Sequence, residues 1–157
     1  YSHFGYNLKV TDMQAAVGCA QLKKLDSFTK RRRHNFERMY QGLKHLEDKI
    51  ILPEPALHSN PSWFGFLITC KEGVDKNKVV SYIESHGIQT RMLFSGNLIK
   101  QPCFDELRSL GTGYRVIGNL ETTDRIMRDT FWVGVYPGMT DKMIDDMILV
   151  IEEAVEA

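Results

Sequence analysis

The sequence predicts an α+β (α/β) domain: a long helix first, then a small, mostly antiparallel sheet covered on one face by helices. Three observations predict it. Apolar residues recur at helical spacing through the first third of the chain, four short runs rich in aromatic and β-branched residues read as strands, and further helical stretches interleave with those runs. With 157 residues, 43% hydrophobic and 25% charged, the chain has the size and composition of one ordinary domain.

The chain opens on Phe4-Gly5-Tyr6-Asn7, a glycine-hinged aromatic turn, which leads into a helix start at Thr11. Thr11 and Gln14 have the spacing of a capping box, and Asp12 puts negative charge at the positive end of the helix dipole. Met13, Ala16, Val17, Ala20, Leu25, Phe28, Phe36, Met39, Leu43 and Leu46 then repeat at helical spacing. They predict one helix over 11–46, roughly 50 Å long at ~1.5 Å per residue. Ala15, Ala16, Gly18 and Ala20 would let another backbone pack closely, and Cys19 among them reads as a small core hydrophobe. The charge run Lys30-Arg31-Arg32-Arg33-His34 reads as a solvated helix face balanced by Asp26, Glu37, Glu47 and Asp48 rather than as a phosphate or nucleic-acid patch.

Ile50-Ile51-Leu52 before Pro53 reads as a short strand, and Ser62 to Cys70 is the strongest strand candidate. A helix follows over 76–85, with Val79, Val80 and Ile83 buried and His86-Gly87 as its C-cap. Ile88 to Phe94 reads as a strand ending at the turn Ser95-Gly96-Asn97. Short helices are expected over 104–110 and 120–127, then a strand from Phe131 to Tyr136 stopped by Pro137-Gly138. Thr140 caps a last helix that turns Met143, Met147, Ile148, Ile151 and Val155 inward. Trp63, Phe64, Phe66, Phe131 and Trp132 are expected to supply much of the core, each contributing about 2–3 kcal/mol of transfer free energy when buried.

Composition narrows the function. Twenty basic and 20 acidic side chains give zero net charge, which argues against broad electrostatic binding of nucleic acid or anionic membrane. No apolar run approaches the ~20 residues of a membrane span. Cys19, Cys70 and Cys103 are odd in number and far apart, which disfavours a disulfide scaffold or a zinc site and fits a reducing, cytoplasmic compartment. His34, His45, His58 and His86 lack metal-ligand spacing, and Asp145-Asp146 and Glu152-Glu153 read as solvated residues of the last helix. Dinucleotide-binding, P-loop and nucleophile-elbow motifs are absent. The residues alone support an α/β domain whose first turn looks like part of a site cut away from the rest.

Three blocks carry a more specific resemblance. Gly5-Tyr6-Asn7-Leu8-Lys9 with Thr11 to Ala16 and Ala20-Gln21-Leu22 resembles the segment joining the two domains of DegT/DnrJ-type sugar aminotransferases. Thr90 to Asn97 with Gln101-Pro102, and Thr123 to Met127 with Phe131 to Thr140, are the second and third blocks. These enzymes are fold-type I, use pyridoxal phosphate and act on nucleotide-linked keto sugars. Ser62 to Phe66 together with Arg91 to Asn97 is similar to one branch, the RfbH-type CDP-4-keto-6-deoxyglucose 3-dehydratases of lipopolysaccharide O-antigen biosynthesis. In that branch histidine replaces the cofactor-bearing lysine, the cofactor is held as pyridoxamine phosphate, and C3 of the sugar loses its hydroxyl.

The resemblance implies that residues 1–157 are the C-terminal small domain. Residues 1–10 would be an inter-domain, cofactor-facing turn, 11–46 a long helix, and 50–157 a sheet-and-helix unit. The catalytic histidine or lysine and most cofactor contacts would lie on an absent large N-terminal domain, leaving this chain inactive alone. It implies cofactor contacts from Asn7 and Tyr6, with Asn7 reaching across a homodimer interface to the partner's cofactor phosphate, and Phe4 on the same surface. From the residues alone, Asn7 reads rather as a local turn residue before the helix, and the resemblance reverses that preference. Arg91 is expected to clamp the substrate diphosphate, its alternative being a surface or ion-paired arginine. Gly96 and Asn97 form the adjoining substrate turn, where Asn97 either meets sugar hydroxyls or only holds the turn. Some members bind a [2Fe-2S] cluster through upstream cysteines and work with an electron-transfer reductase; no cysteine here matches those ligands. A nucleotide-sugar aminotransferase domain and a non-catalytic dimerisation module are the alternatives.

Overall fold

Alternation along two strands, Gly65–Cys70 and Thr130–Gly134, sets the architecture. In the computed structural model, which describes Gly5, Tyr6 and residues 8–157, four strands form one antiparallel sheet in the order β1-β2-β4-β3. They are β1 (Ile50–Ile51), β2 (Gly65–Cys70), β3 (Thr90–Met92) and β4 (Thr130–Gly134). Phe66 lies opposite Val133 and Ile68 opposite Phe131, so these four fully buried side chains share one face. Successive strand residues point to opposite faces, so Leu67, Thr69 and Trp132 line the other. There Thr69 and Thr130 hydroxyls meet at 2.8 Å.

Helices cover the inner face alone. α3 (Lys76–Ser85) and α6 (Asp141–Glu156) pack on each other, α3 also packs on β3 and β4, and α2 (Leu25–Leu43) packs on α6. Asp75 caps α3 by accepting from the Asn77 amide at 2.9 Å. Gly87, at φ +79°, ends it as expected. Thr140 caps α6 by accepting from the Met143 amide. The buried side of α6 is Ile144, Met147, Ile151, Ala154 and Val155; Met143, expected inside, is exposed. The remaining helices are α1 (Asp12–Leu22), α4 (Asp105–Leu110) and α5 (Glu121–Asp129).

The expected 11–46 helix is divided. α1 stops at Leu22, Lys24 turns with a tighter bond from its amide to the Gln21 carbonyl, and α2 restarts at Leu25. The break falls where the apolar repeat lapses: the positions three and four after Ala20 are Lys23 and Lys24. The Thr11–Gln14 capping box is present, yet α1 buries none of its residues. Cys19 is therefore exposed, not a core residue.

Two further expectations are corrected. Of the five aromatics, Phe66 and Phe131 are buried and Trp63 packs against Phe36, but Trp132 is half-buried and Phe64 is 64% exposed. Phe64 precedes β2 and lies edge-on to Trp132, at 5.5 Å between centroids, outside the helix-covered core. The arginine run is not a solvated face either. Arg31 reaches the Met139 carbonyl and Asp141, Arg33 donates to the Asn60 and Pro61 carbonyls, and Arg32 donates to Ser62. The carboxylates it was expected to balance are not its partners.

A polar seam joins α2 to α6. Arg31 and His34 meet Asp141, Arg38 meets Asp145 through two bonds, and His45 meets Glu152. Asn35, fully buried, donates to the Tyr136 carbonyl at 2.9 Å. The hydrogen bonds from Arg31 and His34 hold the Asp141 carboxyl below its usual value, and that from Arg38 does the same for Asp145.

Phe131→Ala should lower unfolding stability in denaturant by about 3–5 kcal/mol. Phe64→Ala should lower it by about 1 kcal/mol or less, the scale of one exposed aromatic pair. Because folding lowers the Asp141 and Asp145 values, their stabilisation is complete above the unfolded carboxylate value of about 3.9 and is lost as pH falls through the lower folded values. The Asp141→Asn, Asp145→Asn double variant should therefore melt below wild type at neutral pH and converge with it in strong acid.

Candidate functional site

The open face of the sheet and the edge at β3 carry the candidate site. Arg91 sits opposite Trp132 in the β3–β4 register, and its side chain is exposed. It makes no hydrogen bond or ion pair among the described residues. It rims a groove of about 540 Å³ between the β3 edge and α6, with Trp132, Tyr136, Met139, Met143 and Met147 among the lining side chains. A free guanidinium over an apolar floor suits a bidentate anion whose attached ring needs an apolar contact.

Trp132 is fixed in place. Its indole N–H donates to the Met92 carbonyl at 3.3 Å. Gly65 makes room for it, because a Cβ there would sit 2.6 Å from the indole ring. Beside it, Trp63, Phe64, Leu67, Leu93 and Phe94 border a small apolar depression. Phe94 is 83% exposed and has φ +49°, a left-handed conformation that costs a non-glycine residue about 1–2 kcal/mol.

The turn after β3 is held from α5. Asn97 is 2% exposed, and its side-chain amide donates to Asp124 at 2.8 Å. Lys100 pairs with the other Asp124 oxygen at 2.7 Å. These two bonds, Lys100 first and Asn97 second, hold the Asp124 carboxyl below its usual value. Gly96 has φ +60°, and a Cβ on it would run into Met127. Of the two roles open to Asn97, this geometry is that of holding the turn, since the amide faces inward and is already paired. The structure thus brings Arg91, Gly96 and Asn97 into one segment. Asp124 and Met127, within the helix expected over 120–127, are the missed residues; no local pattern signals partners 27 and 30 residues away.

Tyr6 is 91% exposed, so its ring packs on no described element. Asn7 and Phe4 lie outside the described residues. A second cleft, about 580 Å³, is lined by Lys71, Arg125 and Arg128 but also by Glu72 and Asp129. Arg128 is already paired with Asp129, so less free positive charge faces that cleft than its lining suggests. Cys70 beside it is buried, which pushes its thiol up to about 11. Among the described residues no group of His, Cys, Asp and Glu side chains is placed to hold a metal ion, and no helix is long and apolar enough to cross a membrane.

A small antiparallel sheet with helices packed on it is an architecture this chain shares with part of solved pyridoxal-phosphate-dependent enzymes. The sequence profile of the DegT/DnrJ/EryC1/StrS aminotransferase family matches residues 1–152, and the chain belongs to this family. It is 48% identical over 155 residues to the lipopolysaccharide biosynthesis protein RfbH of Salmonella typhimurium, covering 98% of this chain and 34% of that protein. It is 45% identical over 157 residues to the dTDP-4-dehydro-2,6-dideoxy-D-glucose 3-dehydratase of Saccharopolyspora spinosa, covering 99% and 33%. Among solved structures, an E. coli GDP-4-keto-6-deoxy-D-mannose-3-dehydratase with bound hydrated PLP superimposes with a TM-score of 0.78 at 28% identity, covering 94% of this chain and 36% of that one. The chain thus spans about a third of the length of these relatives, and its α+β fold is that of a fold-type I enzyme's part, as the sequence predicts.

The family implies a pyridoxal or pyridoxamine phosphate cofactor. The described site does not by itself fit one: the groove at Arg91 has no lysine for a covalent link, and its lining is chiefly apolar.

Proposed function

We propose that the chain is the C-terminal small domain of a pyridoxamine-phosphate-dependent CDP-4-keto-6-deoxyglucose 3-dehydratase of deoxysugar and lipopolysaccharide O-antigen biosynthesis. Residues 1–10 are the turn entering from the large domain, and residues 50–157 are the sheet-and-helix unit. The observation that carries this reading is the likeness to two proteins in particular: RfbH and the dTDP-sugar 3-dehydratase are 48% and 45% identical over nearly the whole chain, whereas two GDP-sugar 3-dehydratases and a putative aminotransferase of Bacillus subtilis all stand at 32–33% over shorter stretches. The cytidine nucleotide is supported by the resemblance of Ser62 to Phe66 and Arg91 to Asn97 to the CDP branch.

In this reading the bound cofactor supplies the chemistry that removes the C3 hydroxyl, from residues outside this chain. Arg91 binds the diphosphate of the nucleotide-linked sugar, and Trp132 with Phe94 offers flat apolar surface to its rings. Gly96 and Asn97 shape the turn that presents them. Tyr6 and Asn7 meet the cofactor of the other subunit of a cytoplasmic homodimer, Asn7 donating its amide to the phosphate and Phe4 lining the same surface. A [2Fe-2S] cluster and its reductase belong to the full-length protein, with no ligand contributed from here. The aminotransferase alternative keeps the same domain and differs at one residue, lysine for histidine, outside it.

The test is the full-length protein loaded with pyridoxamine phosphate and offered CDP-, dTDP- and GDP-linked 4-keto-6-deoxy sugars. Mass spectrometry should show loss of water from the CDP sugar, with residues 1–157 alone giving no product. Amino transfer instead of water loss sinks the dehydratase reading, and turnover by the isolated chain sinks its placement as an incomplete site. Asn7→Ala in the full-length protein should release cofactor on dialysis at least about tenfold faster, the scale of one lost hydrogen bond to a charged group. Unchanged retention removes Asn7 from the site.

A further inference from the structure

We propose that Asp124 is a positioning residue for the nucleotide-sugar surface: from α5 it clamps the turn after β3 and so holds Phe94 out beside Trp132 and Arg91. The inference rests on the reading of that surface given above. α5 buries none of its nine residues, so its place in the fold is not explained by a contribution to the core. Its inward-facing groups instead meet the turn. Asp124 accepts from Asn97 at 2.8 Å and from Lys100 at 2.7 Å, and Met127 sulfur lies 3.2 Å from the Asn97 amide. Met127 also fills the space that a side chain at Gly96 would need. Gln101 closes the turn by donating to the Ser95 carbonyl at 2.6 Å.

The clamp has a strained product. Phe94 takes a left-handed backbone while its ring stays 83% exposed, so no burial offsets the strain. A strained residue persists where its neighbours over-determine it, and such residues cluster where a side chain must be aimed. Here one neighbour is a buried amide with a single side-chain acceptor, and leaving that amide unpaired is unfavourable. Removing the Asp124 carboxylate therefore frees Asn97, then the turn, then Phe94, without touching Arg91 or the core residues Phe66, Ile68, Phe131 and Val133.

The experiment uses the full-length protein with its cofactor. Asp124→Ala should raise KM for the nucleotide-linked keto sugar roughly tenfold while leaving kcat within about threefold, because a ground-state contact is misplaced and the chemistry lies elsewhere. Asp124→Asn should lose less, because its amide oxygen still accepts from Asn97 although Lys100 is released. Chymotrypsin should cut Asp124→Ala after Phe94 under conditions where wild type resists, with the melting temperature of the rest little changed. A variant with wild-type KM and wild-type resistance at Phe94, beside a wild type that saturates normally, overturns the clamp alone. A wild type that saturates with no nucleotide-linked keto sugar overturns the surface reading and the clamp with it. An equal fall in kcat and melting temperature with KM unchanged shows a merely structural Asp124 and also overturns the proposal.

Discussion

The two-residue period of β2 and β4 is the constraint on which the rest of the molecule depends. Phe66, Ile68, Phe131 and Val133 fall on one face and must leave water, and α3 and α6 supply the cover. A shift of register by one residue would turn all four outward and bring Leu67, Thr69 and Trp132 in. The same period therefore creates the uncovered face. With no helix over it, that face is free for Trp132, Arg91 and the turn after β3. Core and candidate site are two sides of one alternating pattern.

The second level of order is polar. Arg31 and Arg38 on α2, and His45 just past its end, meet Asp141, Asp145 and Glu152 along α6. Exposed pairs of this kind contribute little each, so the seam is better understood as orienting α2 than as the main source of stability. The buried amide of Asn35, bonded to the Tyr136 carbonyl, ties the same helix to the end of the last strand. α2 in turn sets the direction in which α1 leaves. An eleven-residue helix with no buried side chain is marginal by itself. Its capping box fixes where it starts, and Met13, Val17 and Leu22 stay exposed along it.

Local signals were legible and distant partners were not. Asp75 and Gly87 bracket α3, and Thr140 starts α6, because caps act over three or four residues and are written in the adjacent sequence. The strand run from Ser62 to Cys70 was visible from its aromatic and β-branched residues, but not which face Phe64 would take before the strand begins. The arginine run was misread because Arg31 and Arg33 bind carbonyls and a carboxylate 27 to 110 residues away. The break at Lys23-Lys24 could have been read from the lapse in the apolar repeat, since two lysines occupy the next inward positions. At the candidate site, Arg91, Gly96 and Asn97 came from a family resemblance, while the inward turn of Asn97 depends on Asp124, which local pattern places on a helix surface.

The turn after β3 shows why the site is better argued from geometry than from residue type. Asparagine beside glycine at a strand end is ordinary turn chemistry, and either residue alone would say nothing about ligand binding. What distinguishes this turn is where its strain goes. Gly96 adopts a left-handed conformation without penalty, and Asn97 turns inward to a carboxylate, so the unfavourable backbone falls on Phe94, two residues before Gly96. An aromatic held this way gains nothing for the core, and its ring borders the same apolar depression as Trp132. Preorganisation of that kind is useful only to a ligand that meets Phe94, Trp132 and Arg91 at once. In the reading proposed above a nucleotide diphosphate sugar is that ligand, with flat rings at one end and paired phosphates beside them; Trp132, which borders both the depression at Phe94 and the groove at Arg91, is the side chain that joins the two.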